Sequence, residues 1–132
     1  MKDKLVRKDE IEVETLDWGT LDWISTPSRT GTANITAIEV TVLPGKGHDF
    51  HKHPDQEEFI LIKNGRLEVW LEKESAILNP GDSILVDPGV VHASFNTGDE
   101  PVEVFVVLSP CVGQSGYELV EMADQEPWKS LR

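Results

Sequence analysis

This chain predicts a nearly all-β domain, folded as a small sandwich or barrel. Three observations carry that reading. Apolar residues recur with a period of two far more often than 3.6, turn residues interrupt them at short intervals, and 132 residues are enough for one core but too few for two. No helix is needed to explain the pattern.

Taken in chain order, Ile11 and Val13 alternate with Glu12 and Glu14, and Thr36, Ile38, Val40 and Val42 share one face of a strand that Pro44-Gly45 ends. Phe59–Ile62 and Leu67–Leu71 flank Asn64-Gly65, a dipeptide suited to a two-residue hairpin turn. Pairing across it sets Ile62 opposite Leu67, Ile60 opposite Val69 and Glu58 opposite Leu71. It also gathers Phe59, Leu61 and Trp70 on a second apolar face that needs a cover, either a second sheet or a dimer partner. Further strands are expected at Ala76–Leu78, Ser83–Val86, Val91–Asn96 and Val102–Leu108, separated by Asn79-Pro80-Gly81-Asp82, Asp87-Pro88-Gly89 and Asn96-Thr97-Gly98-Asp99. The first ten residues are charged enough to be loose. Trp18 and Trp23 near the start, and Tyr117, Leu119, Met122 and Trp128 near the end, carry apolar area that must pack on the barrel or on a partner. There is no fixed-period repeat and no low-complexity linker.

Composition narrows the function. Twenty-four acidic against 12 basic side chains give a net charge of −12, which repels nucleic acid and anionic membranes. No apolar signal segment and no run of roughly 20 apolar residues is present, so a cytoplasmic location is expected. Cys111 is the only cysteine, which excludes an intrachain disulfide.

The chemistry sits in two boxes. The first runs from Gly45 through His51, His53 and Glu58 to Gly65, and the second from Gly81 through Asp87-Pro88-Gly89 and His92 to Asn96. Residues two apart on a strand point the same way, so His51 and His53 aim together. Only one of Glu57 and Glu58 can face the same site, and Glu58 shares its parity with Ile60 and Ile62. His48, three residues before His51, has the opposite parity and reads as structural or as part of the pocket rim. Asp55, Glu57 and Asp87 read as solvated acids, and no general base stands out.

These paired boxes resemble those of the cupin superfamily, and the resemblance spans residues 45–96. It implies an all-β, cupin-type double-stranded β-helix, or jelly-roll, barrel in one domain over residues 1–132. The core barrel would occupy about 33–109, with segments 1–32 and 110–132 packing on it or on a partner subunit. It further implies that His51, His53, Glu58 and His92 bind one metal ion, and that the chain is a monocupin that commonly forms a homodimer. The chain departs from the family's pattern at Asp87, where proline is usual, which bears on the stiffness of that turn.

Three imidazoles and one carboxylate suit a divalent transition metal. Manganese, iron, cobalt or nickel in octahedral geometry would keep two open positions, whereas tetrahedral zinc would be closed. A +2 ion with one carboxylate retains about one positive charge, which favours a small chelating ligand such as an α-hydroxy acid, enediol, diketone or carboxylate. The expected function is therefore a metal-dependent oxygenase or oxidoreductase acting on a small oxygenated metabolite. The alternatives are a metal-dependent isomerase or lyase of a small acid or sugar, and a non-catalytic small-molecule-binding module. No second domain or DNA-reading motif is present to report binding, which favours the enzyme.

Overall fold

Alternation along Thr36–Val42 buries Thr36, Ile38, Val40 and Val42 on one face, and along Val102–Ser109 it buries Val102, Val104, Val106 and Leu108. These two strands lie side by side with Val104 opposite Val40 and Val106 opposite Ile38, so their inward faces form one apolar wall. The structure is a computed structural model describing residues 1–132. Its strands are β1 (Glu12–Leu16), β2 (Gly19–Ser25), β3 (Thr36–Val42), β4 (Gly47–Lys52), β5 (Glu57–Asn64), β6 (Leu67–Leu71), β7 (Glu74–Leu78), β8 (Ser83–Val86), β9 (His92–Phe95), β10 (Val102–Ser109) and β11 (Val120–Glu121). A single short helix, α1 (Pro27–Thr30), follows β2.

The strands form two antiparallel sheets, ordered β1-β2-β3-β10-β5-β8 and β11-β4-β9-β6-β7. Their inner faces close on a core that includes Leu21, Ile38, Val42, Ile60, Ile62, Leu67, Val69, Val86 and Leu108. This is the jelly-roll, double-stranded β-helix expected from the sequence. No helix is long and apolar enough to cross a membrane.

The pairing expected at Asn64-Gly65 does not form. β5 pairs with β10 and β8, whereas β6 pairs with β7 and β9, so Ile62 does not lie opposite Leu67 in a ladder. Gly65 instead carries the chain from one sheet to the other. Its φ is +84°, and a Cβ there would stand 2.8 Å from Val102 Cγ2, so neither the turn nor the passage tolerates a side chain. The parity behind the expectation is correct, since Ile60, Ile62, Leu67 and Val69 all point inward and meet across the core. The two-residue hairpin connection is Glu72-Lys73, which sets Leu71 opposite Glu74 and holds Glu72 at φ 53°.

The expected grouping of Phe59, Leu61 and Trp70 is also corrected, because β5 and β6 belong to different sheets. Phe59 stays 38% exposed on the outer face of the six-stranded sheet. Trp70 lies on the outer face of the other sheet, beneath the chain's own C-terminal segment. There Phe50, Val91, Ala93 and Met122 are buried with Trp70, Phe95, Trp128 and Leu131 packed around them. Arg132 closes this strap, with its guanidinium 3.8 Å from the Phe95 ring centroid and hydrogen bonds to Glu68. The N-terminus is not loose. It forms short 3₁₀ turns at Lys2–Lys4 and Lys8–Glu10, tied to α1 by Lys4 Nζ donating to Thr30 O at 2.6 Å and by an Arg29–Glu10 ion pair at 3.2 Å.

Candidate metal centre

β4 supplies His51, the residue just past its end is His53, β5 supplies Glu58 and β9 supplies His92. Along β4 the register against β9 moves from His48↔Ser94 to His51↔His92, so three steps on β4 face two on β9. This β-bulge inserts one residue and brings His48 round to the side that carries His51. The rings stack, with His48 and His51 centroids 3.6 Å apart and 11° from parallel, and Trp18 lies against the other face of His48 at 4.8 Å and 15°. The parity argument for His48 fails because it assumes an unbroken strand.

His51, His53, Glu58 and His92 all converge. One ligand atom from each lies within 4.8 Å of the others, and all four residues are buried. Glu57, Asp55 and Asp87 remain exposed at the surface. Asn96 is buried away from the cluster, donating to Val42 O and Glu100 O and so closing a turn. Of the two residues that share Glu58's parity, Ile60 lines the cavity and Ile62 does not; Leu67, Ile38, Val40, Val104 and Val106 complete an apolar wall.

The hydrogen-bond chemistry gives each imidazole a direction. His51 Nδ1 donates to Asp49 O at 2.6 Å, His53 Nδ1 to Glu118 O at 2.6 Å and His92 Nδ1 to Val90 O at 3.0 Å. A carbonyl only accepts, so each Nδ1 carries its ring's proton and each neutral ring presents a bare lone pair at Nε2. Glu58 Oε1 stands 2.8 Å from His92 Nε2 and 3.3 Å from His53 Nε2, yet all three atoms are buried without a hydrogen-bond partner. Acceptors that crowd acceptors in a dry pocket are costly unless a cation sits among them. Three imidazole nitrogens and a carboxylate oxygen are the donor set of a divalent transition metal, and the residues fit such an ion.

When no cation is bound, a proton on an imidazole takes its place beside Glu58. Burial opposes the charge on Glu58, but the neighbouring His53 and His92 prevail and hold its carboxyl well below the usual carboxylate range. Burial likewise opposes a charged His53, but Glu58 outweighs it and raises the imidazole's pKa. His51 is pushed well below its ordinary value by burial and by the imidazoles around it, and His48 is pushed down to about 4, chiefly by burial.

Gln56 and the 110–118 segment hold this arrangement; the sequence pointed to packing by residues 110–132 but not to Gln56 or to the segment's part in orienting the site. The buried Gln56 amide donates to Pro110 O at 2.7 Å and Gly116 O at 2.8 Å and accepts from Glu118 N at 3.0 Å. It thereby places the Glu118 carbonyl that orients His53. Thr36 Oγ1 donates to the same Gly116 oxygen at 2.7 Å. A Cβ on Gly116 would meet Thr36 Oγ1 at 2.2 Å, so only glycine fits. An uncharged amide two residues before Glu58 was the available signal. On the other side of His53, Gly89 N donates to the His53 carbonyl at 3.0 Å and ties in the turn before His92.

Two jelly-roll sheets enclosing a His₃Glu cluster define a small barrel able to hold one metal ion. The chain belongs to the cupin family: that family's profile, described as Cupin domain, matches residues 38–108. A Streptomyces cyaneus protein named Polyketide synthase CurC is 31% identical over 110 residues, covering 83% of this chain and 71% of that protein. Among solved structures, KdgF from Halomonas sp. superposes with a TM-score of 0.68 at 20% identity, over 80% of this chain and 94% of that one. The oxalate decarboxylase of Lactobacillus farciminis, in its formate complex, superposes with a TM-score of 0.74 at 20% identity, over 88% of this chain and 35% of that one. At these identities, both structures speak to the fold.

Proposed function

We propose that His51, His53, Glu58 and His92 bind one divalent transition metal, and that the protein is a metal-dependent oxidoreductase of oxygenase type acting on a small chelating oxygenated metabolite. The observation that carries this reading is the set of inward, proton-free ligand atoms beside an apolar cavity. Manganese, iron or nickel bound there would supply Lewis acidity and open positions for a pair of substrate oxygens. The rest is the work of the chain. Glu58 is the only anion among the four, so the centre keeps about one positive charge and attracts oxygen donors. The walls from Ile38, Val40, Ile60, Val104 and Val106 keep water from reactive species. Tyr117 and His48, neither of whose side chains is hydrogen-bonded by a protein group, line the cavity as polar contacts for a ligand. The likeness to a protein named as a polyketide synthase component supports substrates rich in carbonyl and enol oxygens.

A second reading, a metal-dependent lyase or isomerase of a small acid, is favoured by one observation. The space open to water centres in the cavity is about 40 Å³, which admits on the order of three waters. One experiment separates the readings. Purified protein should carry close to one transition metal per chain, and its iron, manganese and nickel forms should be assayed for oxygen uptake with diketones, enediols and hydroxy acids. Oxygen uptake in step with substrate loss supports the oxygenase, anaerobic turnover supports the lyase or isomerase, and no retained metal overturns the centre itself.

A further inference from the structure

We propose that the groove outside the metal cavity is a second subsite of the same site, one that selects a neutral ligand bearing a planar ring and turns away small dianionic acids. The proposal rests on the metal-centre reading for the chelating end of the ligand, and stands on its own for the ring.

Size comes first. With about 40 Å³ open to water centres, the inner cavity holds a chelating pair of oxygens and little else. The groove beyond it offers about 460 Å³ and shares Trp18, Leu21, His48 and Tyr117 with the inner cavity, so the two are continuous across that threshold. A ligand larger than a few atoms that reaches the four converging side chains must therefore lie in the groove.

The surface chemistry says what kind of ligand. Leu16, Trp18, Trp23, Tyr117 and Leu119 give it aromatic and aliphatic faces, with Trp23 edge-on to Tyr117 at 5.4 Å. Its only charged residues are Glu14, Asp49 and Glu121, and no lysine or arginine lines it. A flat uncharged ring gains contact there, whereas a dianion meets three carboxylates and no cation. At the threshold, the Tyr117 hydroxyl and the His48 ring nitrogens have no protein hydrogen-bond partner, which leaves them available to the ligand's polar edge.

The test uses manganese-loaded protein under argon, with metal content measured first. Catechol, a ring that enters uncharged and releases hydroxyl protons to the buffer as it chelates, and oxalate, already a dianion in solution, are titrated by calorimetry; 2-naphthol, a ring with no chelating pair, is followed by quenching of tryptophan fluorescence. Catechol should bind about tenfold or more tighter than oxalate. Glu14→Gln combined with Glu121→Gln should narrow that gap by roughly threefold through tighter oxalate binding. 2-Naphthol should quench loaded and metal-free protein alike, and Trp18→Ala should weaken it by about fivefold without releasing metal. Leu119→Ser, at a 38%-exposed position, gives the same reading if Trp18→Ala fails to fold. Oxalate binding as tightly as catechol, or 2-naphthol indifferent to both ring-side variants, overturns the proposal. Loss of metal with 2-naphthol binding intact overturns the metal-centre reading and leaves the groove standing.

Discussion

Each of the three converging imidazoles is locked by a carbonyl on its Nδ1, so the opposite ring edges turn toward the cluster that includes Glu58. Removing the one carboxylate should therefore do more than remove one ligand. Glu58→Gln should lose most of the bound metal, while the exposed Glu57→Gln should match the parent within about twofold, as elemental analysis after dialysis will show. Metal-free protein should carry a pH signature of its own. The folded pKa of His48 is pushed down to about 4 from 6.5, and that of His51 is lowered too, so the unfolded chain takes up these protons first. Their contribution to stability is present above pH 6.5 and is lost as the pH falls through the folded values. For His48 that amounts to about 3 kcal/mol at most. The raised His53 acts above pH 6.5 and the depressed Glu58 acts below its unfolded value near 4.5, so neither masks the interval between. Melting of chelator-treated protein should shift to lower temperature from pH 6.5 to 4.5, and His48→Gln should lessen the shift.

Among the elements, what was legible was local. The strands at Thr36–Val42, Leu67–Leu71 and Ser83–Val86 follow directly from alternation, and Glu58 faces inward with Ile60 and Ile62 for the same reason. What alternation cannot encode is which strand lies beside which. Asn64-Gly65 has the chemistry of a hairpin turn, yet it serves a crossing between sheets, because the neighbours of β5 come from residues 83–86 and 102–109, far along the chain. The bulge in β4 is equally silent, since one extra residue leaves no compositional mark, and it alone decides where His48 faces. Gln56 was overlooked because its partners are backbone groups some sixty residues away, at Gly116 and Glu118. Its role predicts that Gln56→Ala weakens metal affinity by about 10–100-fold, measured by competition with a chelator, although no ligand atom is changed.

At the scale of the whole molecule, the two sheets have unlike outer faces. The five-stranded sheet is covered by residues 122–132 of its own chain, whereas the six-stranded sheet leaves Phe59 at 38% and Leu85 at 51% exposure directly opposite each other on neighbouring strands. For the homodimer that the cupin resemblance implies, we propose this uncovered face as the interface. Sedimentation at micromolar concentration should show a dimer that Leu85→Lys converts to monomer, and a strictly monomeric parent protein would remove the proposal. The covered face has its own test. Trp128→Ala should cost about 2 kcal/mol of stability, read by denaturant melting, because it uncaps the cluster around Phe50 and Met122.

Phe50 and His51 are neighbours on β4 that look in opposite directions, one into the clasp formed by the chain's tail and the other into the imidazole cage. A single backbone segment is thus gripped from both sides. Occupancy of the cage that shifts His51 would be felt by the same peptide that anchors residues 122–132, so a dye attached at position 132 should register it from the far side of the sheet.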